Sequence, residues 1–168
     1  QEKIRSHLDI QKNRENTRHL KPAVKFYTEI AQRAQASGIV LDVFVASVDQ
    51  VGVIEMKACI EMTGGFYIMT SSFGDPVFKE SFKKFFEVDE NGELKMGFLA
   101  QTQCFTSPDF KVSGAIGQCA PIKVPSNAFI SSTEVGIGGT NQWYLGGIDR
   151  NKSIAFYFDI TSTQNLNA

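Results

Sequence analysis

The sequence predicts an α/β region followed by an all-β region. Two observations carry this. Up to about Phe86, segments of helical period alternate with short apolar runs. After Asp89 that period disappears, and short β-rich runs alternate with Gly, Pro, Ser and Asn. The shift places a domain boundary near residues 93–100.

Residues 1–19 show no clean period and read as a surface loop with some helix. They carry Arg5, Lys12, Arg14, Arg18 and both histidines, His7 and His19. Residues 20–36 read as a helix, because Leu20, Val24, Tyr27, Ala31 and Ala34 share one face. Pro22 fits the first turn, where its missing N–H costs little. Ser37-Gly38 is a stop. Residues 39–46 are nearly all apolar, as expected of a strand covered on both faces. A helix over 51–62 follows and ends at Thr63-Gly64-Gly65, where glycine accepts positive φ. Residues 66–70 form a second, parallel strand. Asp75-Pro76 reads as an N-cap with proline at the first helical position. The helix it opens runs to about Phe86, with Val77, Phe78, Phe82, Phe85 and Phe86 as a wide apolar face.

Beyond it, Asp89-Glu90-Asn91-Gly92 is a turn. Residues 94–106, 110–114, 120–124, 142–146 and 154–160 are the expected strands of an antiparallel sandwich or barrel. No internal repeat and no low-complexity segment occurs.

The 168 residues are 42% hydrophobic and 21% charged, an ordinary soluble composition. No apolar run approaches the ~20 residues of a membrane helix. The start is polar and basic, without a signal peptide, and it opens on Gln1-Glu2-Lys3 rather than Met, as expected of a piece of something longer. Net charge is −1, which gives no general attraction for nucleic acid. The first 25 residues hold seven Lys/Arg against three Asp/Glu, a net of +4; the remainder carries −5. A basic start suits a phosphate-rich surface or an acidic partner, and equally a solvated face.

Cys59, Cys104 and Cys119 are odd in number and lack CxxC spacing, so neither a disulfide framework nor a zinc cluster is expected. All three read as reduced thiols of a cytosolic protein, with Cys59 in the core. Asn151-Lys152-Ser153 fits the glycosylation sequon, a triplet common by chance. The histidines lack zinc spacing and read as exposed.

Candidate chemistry is sparse. Ser47-Val48-Asp49-Gln50 follows a strand at the carboxyl edge of a parallel sheet, where ligands sit. Metal-binding von Willebrand A-type loops read Asp-x-Ser-x-Ser, which is absent, and one Asp cannot supply octahedral oxygen ligation. Asp49 is therefore expected to cap the next helix. The Gly-rich run 135–141 lacks the GK[ST] ending of a phosphate loop and reads as turns or bulges. Ser47, Ser71, Ser72 and the cysteines could be nucleophiles, but neither histidine pairs with one by motif, and no Gly-x-Ser-x-Gly elbow occurs. Asp89 and Glu90 read as solvated. The residues show no active site, cofactor site or metal site.

The sequence 42–52, reading DVFVASVDQVG, together with Glu55-Met56-Lys57, Thr63-Gly64-Gly65 and Phe78-Lys79-Glu80-Ser81-Phe82, carries a resemblance. It continues in Leu94-Lys95-Met96-Gly97-Phe98, Ser113-Gly114-Ala115-Ile116-Gly117, the run 134–140, Gln142-Trp143 and the opening Ile4-Arg5-Ser6-His7. In order and spacing, over essentially the whole chain, it resembles the GTPase-activating subunits of the inner COPII vesicle coat. The related cargo-adaptor subunits share the architecture, but Asp49-Gln50-Val51-Gly52 and Leu94-Lys95-Met96 look like the activating one.

The resemblance implies that residues 1–98 are the later part of a von Willebrand A-like trunk. Residues 99–168 would open the β-sandwich or barrel domain. The family's zinc finger, helical domain and gelsolin-like domain have no counterpart here. Its arginine finger belongs to the gelsolin-like part, so Arg5, Arg14, Arg18, Arg33 and Arg150 do not inherit that role. Implied partners are the cargo-adaptor coat subunit, a Sar-family GTPase, outer-coat subunits and an anionic membrane touched peripherally, with no nucleic acid. The implied location is cytoplasmic, on endoplasmic reticulum membrane and COPII vesicles. The strand-to-helix connection 47–50 would hold no metal, and the A-like part would be a protein-interaction platform. A metal-dependent ligand-binding A-type domain is the alternative. A sheet of two or three parallel strands also leaves bare edges and apolar surface, so the isolated chain is expected to associate or be poorly stable.

Overall fold

A computed structural model describes residues 17–49 and 51–161. The order is helix α1 (Leu20–Ala36), strand β1 (Val43–Ala46), helix α2 (Val53–Thr63), strand β2 (Tyr67–Thr70) and helix α3 (Pro76–Phe85). Then come β3 (Gly97–Gln103), β4 (Phe110–Ile116), β5 (Ala120–Pro121), β6 (Gln142–Ile148) and β7 (Ala155–Ile160). The α/β region followed by antiparallel strands is thus as expected. The leading segment with Arg5, Lys12, Arg14 and His7 lies outside the described residues.

Strands β1 and β2 pair in parallel, Val43 opposite Tyr67 through Ala46 opposite Thr70. On one face Phe44 meets the rings of Phe78, Phe82 and Phe85 edge-on at 5.9, 5.4 and 5.9 Å, and Phe66 meets Phe85 at 5.6 Å. Such edge-to-face pairs each add about 0.5–1.5 kcal/mol beyond the area they bury. The other face buries Val45, and α2 packs against α1. The aromatic stripe of α3 is covered only in part: Val77, Phe82 and Phe86 stay exposed, as does Phe73 before the helix. Two strands are too narrow to cover the whole of that apolar face.

The first strand starts four residues later than expected, at Val43 instead of residue 39. Its leading donors are spent elsewhere. The Ile39 N–H donates to Ala34 O, closing α1 after left-handed Gly38. The Leu41 N–H donates to Thr63 Oγ1 at 3.0 Å. Only Val43 reaches the neighbouring strand, donating to Phe66 O. Helix α3 opens as predicted, with Asp75 Oδ1 accepting from the Val77 N–H at 2.8 Å. The Asp89–Gly92 turn also forms: Asp89 Oδ1 accepts from the N–H groups of Asn91 and Glu93, and these bonds hold its carboxyl below the ordinary range.

The antiparallel strands form two sheets, in the orders β3-β6-β5 and β4-β7. Both feed one core of Val112, Ala115, Cys119, Trp143 and Leu145. Trp143 is fully buried, donates Nε1–H to Ile137 O at 3.0 Å and packs on Phe156.

The α/β and β-rich parts meet backbone to backbone. Thr63 is fully buried, and its hydroxyl donates to Cys59 O at 2.6 Å while accepting from Leu41. Next to it, a Cβ on Gly64 (φ 73°) would stand 1.9 Å from Leu145 O. A Cβ on Gly146 (φ 64°) would stand 1.9 Å from Thr63 O. Only chain without side chains can pass at that separation. Gly64→Ala should therefore cost more than about 3 kcal/mol or abolish folding, since strain and overlap add. Gly74→Ala, with its nearest neighbour at 3.6 Å, should stay within about 0.5 kcal/mol. Urea denaturation of both variants checks the contrast.

Half-buried Asp42 accepts the Phe66 N–H at 2.7 Å. Burial nevertheless raises its carboxyl above the ordinary 3.8, outweighing that bond. A raised acid favours the folded state while protonated, so its contribution is complete below 3.8 and is lost as pH rises through the folded value. Asp42→Asn, which keeps the acceptor, should raise the thermal midpoint at pH 7 and lose that advantage near pH 3. Asp42→Ala, which orphans the N–H, should cost about 1 kcal/mol.

Candidate functional site

The carboxyl ends of β1 and β2 lie side by side, where an open parallel sheet would present a ligand site. Their polar groups are turned inward on the chain. The Ser47 N–H donates to Thr70 O, and Ser47 Oγ accepts from the Asp49 N–H at 3.1 Å. Thr70 Oγ1 donates to Ser72 O. Asp49 does not occupy the N-cap of α2. That position belongs to Gly52, left-handed at φ 74°, with Glu55 supplying the acidic side chain of the first turn. The expected cap is corrected: two more residues of connection intervene before α2, which starts at Val53 rather than 51. Gln50 lies outside the described residues. Among the described residues, no three His, Cys, Asp or Glu side chains converge as a metal site would need.

The Gly-rich run is built into the β-rich part. The Val135 N–H donates to Ser113 O, while Ile137 and Ala115 exchange both backbone bonds. Two of its amides, Val135 and Ile137, are thus committed to β4, and no helix follows the run as one follows a phosphate loop. Gly114 lies against Val135 O at a distance that excludes a side chain. Thr140 and Asn141, both buried, finish the run: Thr140 Oγ1 donates to Ile122 O, and Asn141 Nδ2 donates to Cys104 O.

The candidate nucleophiles are scattered. Cys59 sits under α1 with its thiol donating to Tyr27 O at 3.4 Å. Cys119 belongs to the β core and Cys104 packs against it. Burial pushes all three thiols up, which suppresses the reactive thiolate. The described histidine, His19, precedes α1 and accepts from Arg18 Nε, remote in sequence from every thiol. Ser71 and Ser72 are exposed beside β2.

A cleft of about 760 Å³ lies where the two parts meet, bordered by Glu61, Tyr67, Gln118, Asp149, Asn151 and Lys152. Lys152 is the residue that sequence reasoning passed over, having met it only inside a sequon. Its ammonium donates to Leu145 O at 2.8 Å and Gly147 O at 2.7 Å, beside Gly64. Burial pulls its pKa down, while Cys119 and Asp149 act the other way. It is a rivet through the seam. The tandem Gly146-Gly147 inside an apolar strand was the available signal that another backbone approaches there. Asn151 is spent on Asp149, its Nδ2 donating at 2.9 Å. The arrangement offers shape, exposed apolar surface and fixed backbone.

Comparison with protein-family models adds one match. Residues 1–87 fit the model described as the Sec23/Sec24 trunk domain.

The thiols give the direct check on chemistry. At neutral pH a disulfide-exchange reagent should react slowly with the native protein, with no more than Cys104 modified. Three thiols should appear once denaturant is added. Immediate, stoichiometric labelling of one thiol would instead identify a nucleophile.

Proposed function

The chain belongs to the Sec23/Sec24 trunk family, whose members are subunits of the COPII vesicle coat, and from that premise we propose that it is part of the coat's GTPase-activating subunit. The wording of Asp49-Gln50-Val51-Gly52 and Leu94-Lys95-Met96 supports the activating branch over the cargo-adaptor branch. The observation that carries the structural half of the reading is the seam. Buried Thr63, the glycines and Lys152 lock two parts into one scaffold, and the polar groups at the strand ends are spent on the chain itself.

In this reading, residues 1–98 are the later trunk and residues 99–168 open the β-sandwich domain. The chain contributes no catalytic group and no cofactor. An arginine finger from a gelsolin-like part of the whole subunit offsets charge on the transferring phosphate of a Sar-family GTPase. Arg33, at the end of α1, and Arg150, in an exposed turn, have no such part. The apolar surface left by Phe73, Val77, Phe82 and Phe86 is covered by the rest of the subunit or its coat neighbours, the cargo adaptor and outer-coat subunits among them. Basic side chains near the start add about 1 kcal/mol each on anionic lipid. The working location is the cytoplasmic face of endoplasmic reticulum membrane. No described helix is long and apolar enough to cross a membrane.

The test is GTP hydrolysis by a Sar-family GTPase on anionic liposomes. The full-length subunit containing this chain should accelerate turnover by roughly 10³-fold or more, while residues 1–168 alone should not. A full-length subunit that leaves turnover unchanged yet binds cargo peptides belongs to the adaptor branch, and the proposal fails.

A further inference from the structure

Strand β3 meets β6 with its register broken twice in succession. Gly97 faces Ile148 and Ala100 faces Gly146, so β3 carries one extra residue. The next pair is Gln101 with Tyr144, so there β6 carries the extra residue. The two bulges cancel, and pairing from Gln101 to Gln103 resumes the register held at Gly97. Each strand also turns one residue left-handed at its bulge: Leu99 at φ 56° and Gly146 at φ 64°. Glycine accepts that conformation freely. Leucine does not, because its Cβ crowds the following carbonyl. Among the described residues, Leu99 is the non-glycine residue with positive φ.

Burial does not explain Leu99, whose relative exposure is 61%. Its neighbour does. Leu99 Cδ2 lies so close to Gly38 that a Cβ there would stand 2.6 Å away. Gly38, at φ 68°, is the stop of α1. The opposite bulge rests on the end of α2, with Gly146 against Thr63 O. Each bulge therefore bears on the end of a different helix.

We propose that the paired bulges are a latch. Leu99, seated on Gly38, holds the two compensating bulges in place and fixes the β-rich part against the ends of α1 and α2. Releasing it loosens this joint while both parts stay folded. The compensation matters because losing one bulge alone would leave a one-residue slip, which moves side chains to the other face of the sheet.

Amide hydrogen exchange on the whole chain tests this with two variants at the exposed position. Leu99→Ala removes the seated side chain but keeps the Cβ strain. Leu99→Gly removes both. In each, amides of residues 38–41 and 97–101 should exchange at least tenfold faster, while β4 and β7 keep their protection. Leu99→Gly should also melt higher than Leu99→Ala, because glycine adopts the left-handed conformation without strain. Unchanged exchange at 38–41 would overturn the latch. So would an equal loss of protection in β4 and β7, or a Leu99→Ala variant that melts no lower than Leu99→Gly.

Discussion

Everything in this molecule is arranged around two stretches of backbone crossing at contact distance. Residues 63–65 leave α2 and turn into β2, while residues 145–147 run along β6. The closest approaches between them are made by carbonyl oxygens and the Lys152 ammonium. The Thr63 hydroxyl secures its side by taking one bond from Leu41 and giving one to Cys59. Lys152 secures the other by bridging two carbonyls that the β6 bulge turns outward. Hydrophobic burial is modest in the parts of the α/β region farthest from the crossing. Helix α3 buries no residue fully, and β1 buries only Val45. Close backbone passage therefore determines how the two parts sit together.

Much of the fold could be read from the sequence because its signals are local. Period 3.6 gave α1 with its observed bounds, and Asp75-Pro76 announced α3. The alternation of short β runs with Gly, Pro and Asn announced the β-rich part. What failed did so for tertiary reasons. Residues 39–42 have strand composition, yet their donors serve the end of α1 and Thr63 instead of a ladder. Asp49 has capping chemistry, but Gly52 stands closer to α2 and takes the position. Gly64 and Gly65 were readable as a helix stop, which accounts for them fully at the local level. Their second duty, making room for β6, adds no further letter to the sequence.

The candidate site shows the same division. The Gly-rich run was legible as structural, because a phosphate loop needs a strand before it and a helix after it. Cys59 was legible as a core thiol, whereas Cys104 and Cys119 read only as reduced thiols, without a place in the fold. Lys152 was not legible, since a lysine becomes half-buried only when a particular set of carbonyls surrounds it, and those of Leu145 and Gly147 come together on either side of left-handed Gly146. Leu99 was still less so, because its conformation runs against its own preference and is imposed by Gly38 some sixty residues earlier. Function entered through likeness of wording over long stretches.

The crossing also has a timetable. Gly64 emerges from a ribosome about eighty residues before Leu145, the carbonyl that will lie against it. At about 5–20 residues per second, translation leaves that interval open for roughly 4–16 s. Through it, the turn after α2 waits with naked peptide groups and no β6 to receive them. A nascent chain of this kind is most exposed to misjoining or to chaperone capture in the seconds before its last strands arrive.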